Sequence, residues 1–474
     1  MINHLRLPET LPSKRMTPVS GNFIGGNPME YTKSLVNYLI HVRYEDLPQS
    51  VIDLAKKHFL DCVGAGLAEA ATPRSEITHR YFNAIGSKGN CRALGHGYKL
   101  TVENAAFANG ILCHTICFDD SGPSHPSVTV VPNLLAMAEQ YHFNGKEILT
   151  AQIIGYEIFQ RLNAVTKEAW DMRKRGWHPT GFFGSVSSAL QCSKLLNLDT
   201  ETTQRALGIA SSLSGGLSQN IGNMSMGLHA GNANRNGVVA AHLAQQGFTA
   251  DPQPLEGRFG LMDALCGPDN YDISLLTANL GNGFALENPG ITIKPYPNCW
   301  AHHKVLQAVL ELRQLHNIQP EDIVRIEVDL QNDKPTYRYL HPKTDLEARY
   351  SLPYGIALAL LDGELTLNQY QNERITSEDT LEMMARIVHV PGESPEDQQN
   401  VTIFLKNGTV LHRRVEYSKG HPLHNPMTLT ETMEKYRICA SKFLPPNKVE
   451  DSMSAILSME TFNDVSEIMN LLIL

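Results

Sequence analysis

Apolar positions along this chain recur mostly at intervals of three and four residues. Leu35, Leu39 and Val42 set that period from Tyr31 onward. Behind Pro48 a second amphipathic run, Val51, Ile52, Ala55, Phe59, Leu60 and Val63, predicts a helix that Gly64 and Gly66 should end. Residues 104–116 read as a small-residue helix, and helical spacing continues through 133–140, 147–162, 182–196 and 202–213. Beyond about residue 280 the pattern changes. Residues 302–315 and 354–361 still predict helices, but 324–330 alternates through Ile326, Val328 and Leu330, as a strand does. The runs 401–405 and 409–415 flank Lys406-Asn407-Gly408, a strong hairpin signal. Thr428 and Glu431 fit a capping box ahead of Met433, Tyr436 and Ile438, and 465–474 predicts a last helix.

Residues 206–250 stand apart. Arg235 is the single charged side chain in that run, counting histidine as neutral. Charge-poor, small-residue segments pack helices closely at the centre of a bundle. Each interior glycine costs about 1 kcal/mol against alanine. Residues 215–237 should therefore break into helix ends, whose free N–H groups suit an anionic ligand. The elements add up to a mostly α fold. A flexible tail is expected over residues 1–27 and a large all-helical domain over 28–280. A smaller α+β lid domain over 281–420 is inserted before C-terminal helices at 421–474, which return to the helical domain.

The 474 residues carry a formal net charge of −9 and no lysine or arginine run, which argues against a nucleic-acid surface. The eight cysteines form no CxxC pair, so a reduced, cytoplasmic setting is expected and an iron–sulfur cluster is not. No stretch is apolar enough to span a membrane or to serve as a secretory signal. Arg6, Lys14 and Arg15 against Glu9 leave organelle targeting as an alternative reading of the tail. No strand–GxGxxG–helix unit appears, which disfavours a nicotinamide enzyme.

Candidate chemistry concentrates in the loop from Phe118 to Ser127, where Asp119, Asp120, Ser121, Ser124 and His125 stand within ten residues. Two further segments join it, Gly176-Trp177-His178-Pro179-Thr180-Gly181 and Ile293-Lys294-Pro295-Tyr296-Pro297-Asn298-Cys299. His114, Asp119, Asp120, His125 and His178 include metal-competent ligands, but no HExxH or HxH spacing supports a metal hydrolase.

Taken in order, these blocks carry a family resemblance. They are Ala55-Lys56-Lys57 to Leu60-Asp61, Phe118-Asp119-Asp120 with His125-Pro126-Ser127, and Gly176-Trp177-His178. Leu228-His229-Ala230-Gly231-Asn232-Ala233 and Lys294-Pro295-Tyr296-Pro297 follow. Glu347-Ala348-Arg349-Tyr350-Ser351 with Tyr354, and Lys435-Tyr436-Arg437, complete the set. Over about residues 30–445 the chain resembles the MmgE/PrpD family, which includes 2-methylcitrate dehydratase, cis-aconitate decarboxylase and iminodisuccinate epimerase. The resemblance implies a helical domain with an α+β lid, a homodimer, an active site between the domains, no metal or organic cofactor, and a small polycarboxylate substrate. It places His125, His178, Lys294 and Tyr354 in the pocket, and Ser121 at a position that is threonine in the decarboxylases. Two positions depart from the decarboxylase pattern. Cys117 stands where that pattern has an acid, and Met226 where it has a lysine just ahead of the Leu-His-Ala-Gly block. A pocket with different charge recognition follows.

Such enzymes must move a proton at carbon while negative charge grows on a neighbouring carboxylate. The expected roles are proton transfer by His125 and His178, a substrate carboxylate held by Lys294, and hydrogen bonds from Tyr354 or Ser121. Asp119 or Asp120 orients a histidine, and His229, Met226 and Cys117 complete the substrate contacts. Plainer readings stand beside these: a satisfied core histidine for His229, a core aromatic for Tyr354, and loop or cap carboxylates for Asp119 and Asp120. The expected function is a cofactor-independent lyase of the 2-methylcitrate dehydratase type on a small hydroxy di- or tricarboxylate. An epimerase or isomerase of a small dicarboxylate, a decarboxylase, and a non-catalytic carboxylate-binding protein are the alternatives.

Overall fold

The computed structural model describes residues 30–474 apart from Pro123, 167–171, 173, 330–337 and 391–398. The tail expected over residues 1–27 lies outside the described residues, as do Pro123 of the loop and Leu330 at the end of the predicted strand. The fold is mostly helical with a smaller α+β part. Its helical body is built from α1 (Tyr31–His41), α2 (Gln49–Ala70), α3 (Ser75–Ala84), α4 (Val102–Thr115), α5 (Ser127–Tyr141), α6 (Gly145–Val165), α7 (Pro179–Leu195), α8 (Thr200–Leu213) and α9 (Gly227–Gln245). The α+β part contains α10 (His303–His316), α11 (Leu352–Leu361) and a four-stranded sheet. The helices α12 (Leu429–Ala440) and α13 (Pro446–Leu457) then pack back on α2.

Glycine plays a different part here from the one its frequency suggests. Gly64 and Gly66 do not end α2, which runs through both to Ala70. A Cβ on Gly64 would stand 3.0 Å from the Tyr436 ring, and one on Gly66 would stand 2.9 Å from Cys113 Sγ. The missing side chains let α12 and α4 approach α2. The same holds in the charge-poor run. It breaks into short 3-10 turns at Ser218–Asn220 and Met224–Met226, but from Gly227 onward it is one continuous helix. In α9 a Cβ on Gly231 would lie 2.8 Å from Phe107 O, and one on Gly237 would lie 2.2 Å from Ser188 Cβ. Close packing against α4 and α7 thus outweighs the helix propensity that predicted a break.

Helix α5 begins six residues earlier than its apolar period suggests and contains Pro132. Proline has no N–H to give the carbonyl four residues back. That carbonyl, Val128 O, accepts instead from Asn234 Nδ2 at 2.8 Å, and Asn234 Oδ1 accepts from Asn133 N at 3.0 Å. One buried amide on α9 therefore repairs the helix that the site loop enters.

The sheet contains β1 (Ile323–Asp329), β2 (Ile387–Val390), β3 (Gln399–Leu405) and β4 (Val410–Val415), in the order β2-β1-β3-β4. Strands β1 and β2 are parallel, and the other two pairings are antiparallel. The β3–β4 hairpin turns at Lys406-Asn407-Gly408, with Gly408 at φ +86. Val305, Val309, Ile326, Val328, Ile356 and Ile403 form its core, separate from the large core of the helical body. The capping box at Thr428 and Glu431 starts α12 as predicted. The expected last helix shortens to Ser466–Met469, because Ile473 leaves helical pairing to bridge Gly95.

Gly237→Ala should lower stability by about 1–3 kcal/mol through overpacking against Ser188. Gly215→Ala, whose added methyl meets open space, should change it by less than about 0.5 kcal/mol. Urea denaturation of both variants checks the contrast.

Candidate active site

The loop after α4 is held by charged side chains drawn from distant parts of the chain. Helix α4 stops at Thr115, and Cys117 takes a left-handed conformation at φ +54, which few side chains other than glycine adopt. Its carbonyl accepts from Lys294 Nζ at 3.3 Å, and the next carbonyl, Phe118 O, accepts from Lys435 Nζ at 2.7 Å. Lys435 meets Asp61 of α2 at 2.6 Å and lies over the Phe118 ring. Asp120 accepts from Ser127 N at 3.1 Å and from the Ser127 hydroxyl, which fixes the first turn of α5. Ser121 pairs by its backbone with Thr292, N to O, at 2.8 and 2.7 Å, and so ties the loop to the segment that delivers Lys294. Ser124 Oγ lies 2.7 Å from Thr180 Oγ1, joining the loop to the first turn of α7.

Asp119 is the centre of the cluster. Its Oδ2 lies 2.8 Å from His125 Nδ1 and 3.2 Å from His114 Nδ1, and its Oδ1 faces Lys294 Nζ at 3.8 Å. Burial alone would raise the Asp119 pKa, but Lys294, His125 and His114 outweigh it and hold the carboxyl well below the usual range. Burial would lower the Lys294 pKa, yet Asp119 and the thiols of Cys117 and Cys299 leave it above the ordinary lysine value. Both groups are therefore charged at neutral pH.

His125 Nδ1 is also 2.8 Å from Asp120 O. Both neighbours of that nitrogen are acceptors, so Nδ1 carries the proton and Nε2 keeps its lone pair. Burial pushes His125 down to about 4, with Lys294 adding to the fall and Asp119 opposing it. The imidazole is neutral at pH 7, and its side chain is 15% exposed in a cluster otherwise shut from solvent.

His178 caps α7 and lies 2.8 Å, Nδ1 to Nδ1, from His229 of α9. One nitrogen of that pair donates and the other accepts. His178 N donates to Gly216 O at 3.0 Å, so the glycine-rich run shapes this side of the site. Ring centroids separate by 4.8 Å for His114–His125, 5.9 Å for His125–His178 and 5.0 Å for His178–His229, and His114 stacks on His178 at 5.7 Å. Burial also lowers His229 to about 4.

The structure thus brings together Asp119, His125, His178, His229 and Lys294. It does not bring Tyr354 to them. Its hydroxyl donates to Gln369 O at 2.6 Å and its ring packs edge-on against Tyr370 in the α+β core, as the plainer reading expected. Lys294 is fully buried beneath Asp119 rather than open to a substrate carboxylate. Asp120 works as a helix-start acceptor, and burial with Asp119 beside it raises its pKa well above the usual value. Cys117 and Met226 pack with Tyr350, whose hydroxyl donates to Met226 Sδ at 3.0 Å. Burial raises the Cys117 thiol above its ordinary value although Lys294 pulls the other way.

Sequence reasoning gave no role to His114 beyond a possible metal ligand. Its signal was a histidine in a charge-poor helical turn, five residues before an aspartate, so that both face the same side of the helix end. Lys435 and Asp61 were visible as motif blocks without a role. The ligand atoms of His114, Asp119 and His125 lie within 4.8 Å of one another, close enough to hold a metal ion. Lys294 sets a positive charge against the same carboxylate, and both Nδ1 atoms already donate to it, so the donor set is arranged for imidazole orientation.

Most of the chain matches known family models. Residues 33–274 match the model of the MmgE/PrpD N-terminal domain, and residues 296–461 that of the MmgE/PrpD C-terminal domain. The chain is similar to the cis-aconitate decarboxylase of Homo sapiens, 29% identical over 460 residues, covering 93% of this chain and 94% of that one. It is also similar to the Mus musculus protein of the same name, 28% identical over 465 residues and 93% of each chain. The cis-aconitate decarboxylase of Aspergillus terreus is 24% identical over 472 residues, covering 93% and 95%. No helix among the described residues is long and apolar enough to cross a membrane.

Lys294→Met leaves a buried carboxylate without its cation and should cost about 3–5 kcal/mol of stability. Lys294→Met combined with Asp119→Asn should recover most of that loss. Chemical denaturation of the single and double variants reads the coupling.

Proposed function

The chain belongs to the MmgE/PrpD family, and on that premise we propose that it is a lyase of the 2-methylcitrate dehydratase type. Its substrate is a small hydroxy di- or tricarboxylate, and no organic cofactor takes part. His125 Nε2 takes the proton from the carbon next to a carboxylate. The C–H electron pair becomes the new C=C bond, the C–O bond breaks, and the leaving hydroxyl takes up the proton carried by the His125 imidazolium and departs as water, held meanwhile by a hydrogen bond from the His178–His229 pair. The observation that carries this reading is the hydrogen bonding of His125. Its Nδ1 is fixed on two acceptors, so the imidazole presents its basic nitrogen, and Asp119 stabilises the imidazolium formed during turnover. Lys294 keeps Asp119 ionised for that task. The N-terminal end of α7, beside His178, favours the negative charge that develops on the substrate. Homodimer assembly is part of the proposal through the family resemblance alone.

A decarboxylase is the second reading, favoured by the similarity to the cis-aconitate decarboxylases. There carbon dioxide leaves first, and a protonated imidazole returns a proton to the carbanion. Incubation of a carboxylate panel in D₂O, followed by NMR, separates the readings. New alkene signals with all carboxylates retained support dehydration, and carbon dioxide release overturns it in favour of decarboxylation. Deuterium wash-in without net loss of water points to an epimerase.

His125→Gln should reduce turnover by about 10²–10⁴ in a folded protein. The pH dependence has a definite sign. With a folded-state pKa of about 4, His125 is in its basic form through the neutral range. If it is the base, kcat/KM for the free enzyme holds level between about pH 6 and 8 and falls only on acidification toward that pKa. A steady decline with rising pH across the neutral range would assign His125 the acid role instead.

A further inference from the structure

The four imidazoles of the cluster do not present the same atoms. His114 Nε2 takes no hydrogen bond among the described residues, but it is sealed from solvent. Both ring nitrogens of His178 are engaged inside the protein, Nδ1 at 2.8 Å from His229 Nδ1 and Nε2 at 3.4 Å from Thr180 Oγ1. His125 and His229 each commit Nδ1 to the protein. Among the described residues, neither hydrogen-bonds through Nε2, and neither Nε2 is sealed as that of His114 is. His229 keeps 6% of its surface exposed, against 2% for His178. A Cβ on Gly216 would stand 3.1 Å from His229 Cγ, so the missing side chain there leaves room for the ring.

Behind His178 runs a short chain of hydroxyls. Thr180 Oγ1 lies 2.7 Å from Ser124 Oγ, and both side chains are fully buried. A chain whose members each donate one hydrogen can run in only two directions. In the first, Ser124 donates to Thr180, Thr180 to His178 Nε2, and His178 Nδ1–H to His229 Nδ1. The proton of His229 then sits on Nε2. In the second, every bond reverses, the proton of His229 sits on Nδ1, and the Ser124 hydroxyl hydrogen has no acceptor. Thr180 is the only acceptor that the described residues offer it. A buried hydroxyl that donates to nothing keeps its full desolvation penalty, so the first direction wins. Burial lowers His229 to about 4, so its ring is neutral and carries one hydrogen at pH 7.

We propose that His229, rather than His178, is the histidine of this pair that touches substrate, and that it does so as a hydrogen-bond donor through Nε2–H. Ser124, Thr180 and His178 are positioning residues that fix its tautomer. The identity of the acceptor, the leaving hydroxyl, rests on the lyase reading above. The cluster then offers two unlike nitrogens. His125 Nε2 carries a lone pair for the proton on carbon, and His229 Nε2 carries a hydrogen for oxygen. A donor fixed in advance needs no rearrangement as negative charge grows on that oxygen.

Neutron diffraction from crystals of the wild-type chain locates these hydrogens without any substitution. Hydrogen is expected on His229 Nε2 and on His178 Nδ1, and hydrogen on His229 Nδ1 instead overturns the proposal. Kinetics with 2-methylcitrate test the use of that donor, with circular dichroism confirming that each variant is folded. His229→Leu should lower kcat by about 10²–10³, and His229→Gln, which keeps an N–H, by less than about tenfold. Thr180→Val should lower kcat by about tenfold with KM unchanged, and Thr180→Ser should restore it. Equal kcat in Thr180→Val and Thr180→Ser overturns the proposal, as does wild-type kcat in His229→Leu. If His229→Leu does not fold, the two Thr180 variants decide the kinetic arm. If the wild type leaves 2-methylcitrate unchanged, that result counts against the dehydratase reading, and the neutron map alone decides the tautomer of His229.

Discussion

The site depends on one buried ion pair. Asp119 and Lys294 are both shut from solvent, and each keeps its charge because the other is there. A lone carboxylate at that depth would take up a proton, and a protonated Asp119 would accept less well from imidazole. The orientation of His125, and with it the direction of its basic nitrogen, therefore follows from a lysine that need not touch substrate. Lys294 reaches the histidine only through the carboxylate between them.

The loop itself is an exercise in satisfying backbone carbonyls at the end of a helix. Residues just past α4 would expose carbonyls at the negative end of its dipole. Two buried ammonium groups, Lys294 and Lys435, take two successive ones. The left-handed turn at Cys117 lets neighbouring carbonyls meet lysines from different directions. Asp120 then starts the next helix, and Asn234 repairs that helix where Pro132 interrupts it. Rigid elements thus place the polar groups, and the loop adds its own backbone, such as Asp120 O beside His125 Nδ1, to the side chains it carries.

Much of this was legible in the chain, and the failures share a cause. Long periodic helices and the Asn-Gly hairpin were read correctly because their signals are local. The segments around Asp119, His178 and Lys294 converge as their polar residues suggested. Gly64, Gly66, Gly231 and Gly237 misled because local propensity counts a glycine as a break, whereas its value here is the space it leaves for another helix. Tyr354 misled because a tyrosine at the head of an apolar helix looks the same whether its hydroxyl faces a pocket or Gln369. His114 was read only as a metal-competent side chain because its partner, Asp119, lies across a helix end. The meeting of Asp61 with Lys435 is a tertiary fact that no local pattern encodes.

The anchoring of the loop also bears on the order in which this protein can be assembled. The lysine bonded to Cys117 O lies 177 residues downstream, and the one bonded to Phe118 O lies 317 residues downstream. During synthesis the N-terminal helices emerge with Asp61 and Asp119 in place but without either cation. Burying those carboxyls before the later segments arrive would carry a desolvation cost that no cation offsets. A chain that stops before α12 retains most of the core residues and all the histidines of the cluster, yet lacks the bond that seats their loop. Competence for chemistry is thereby deferred until nearly the whole polypeptide exists.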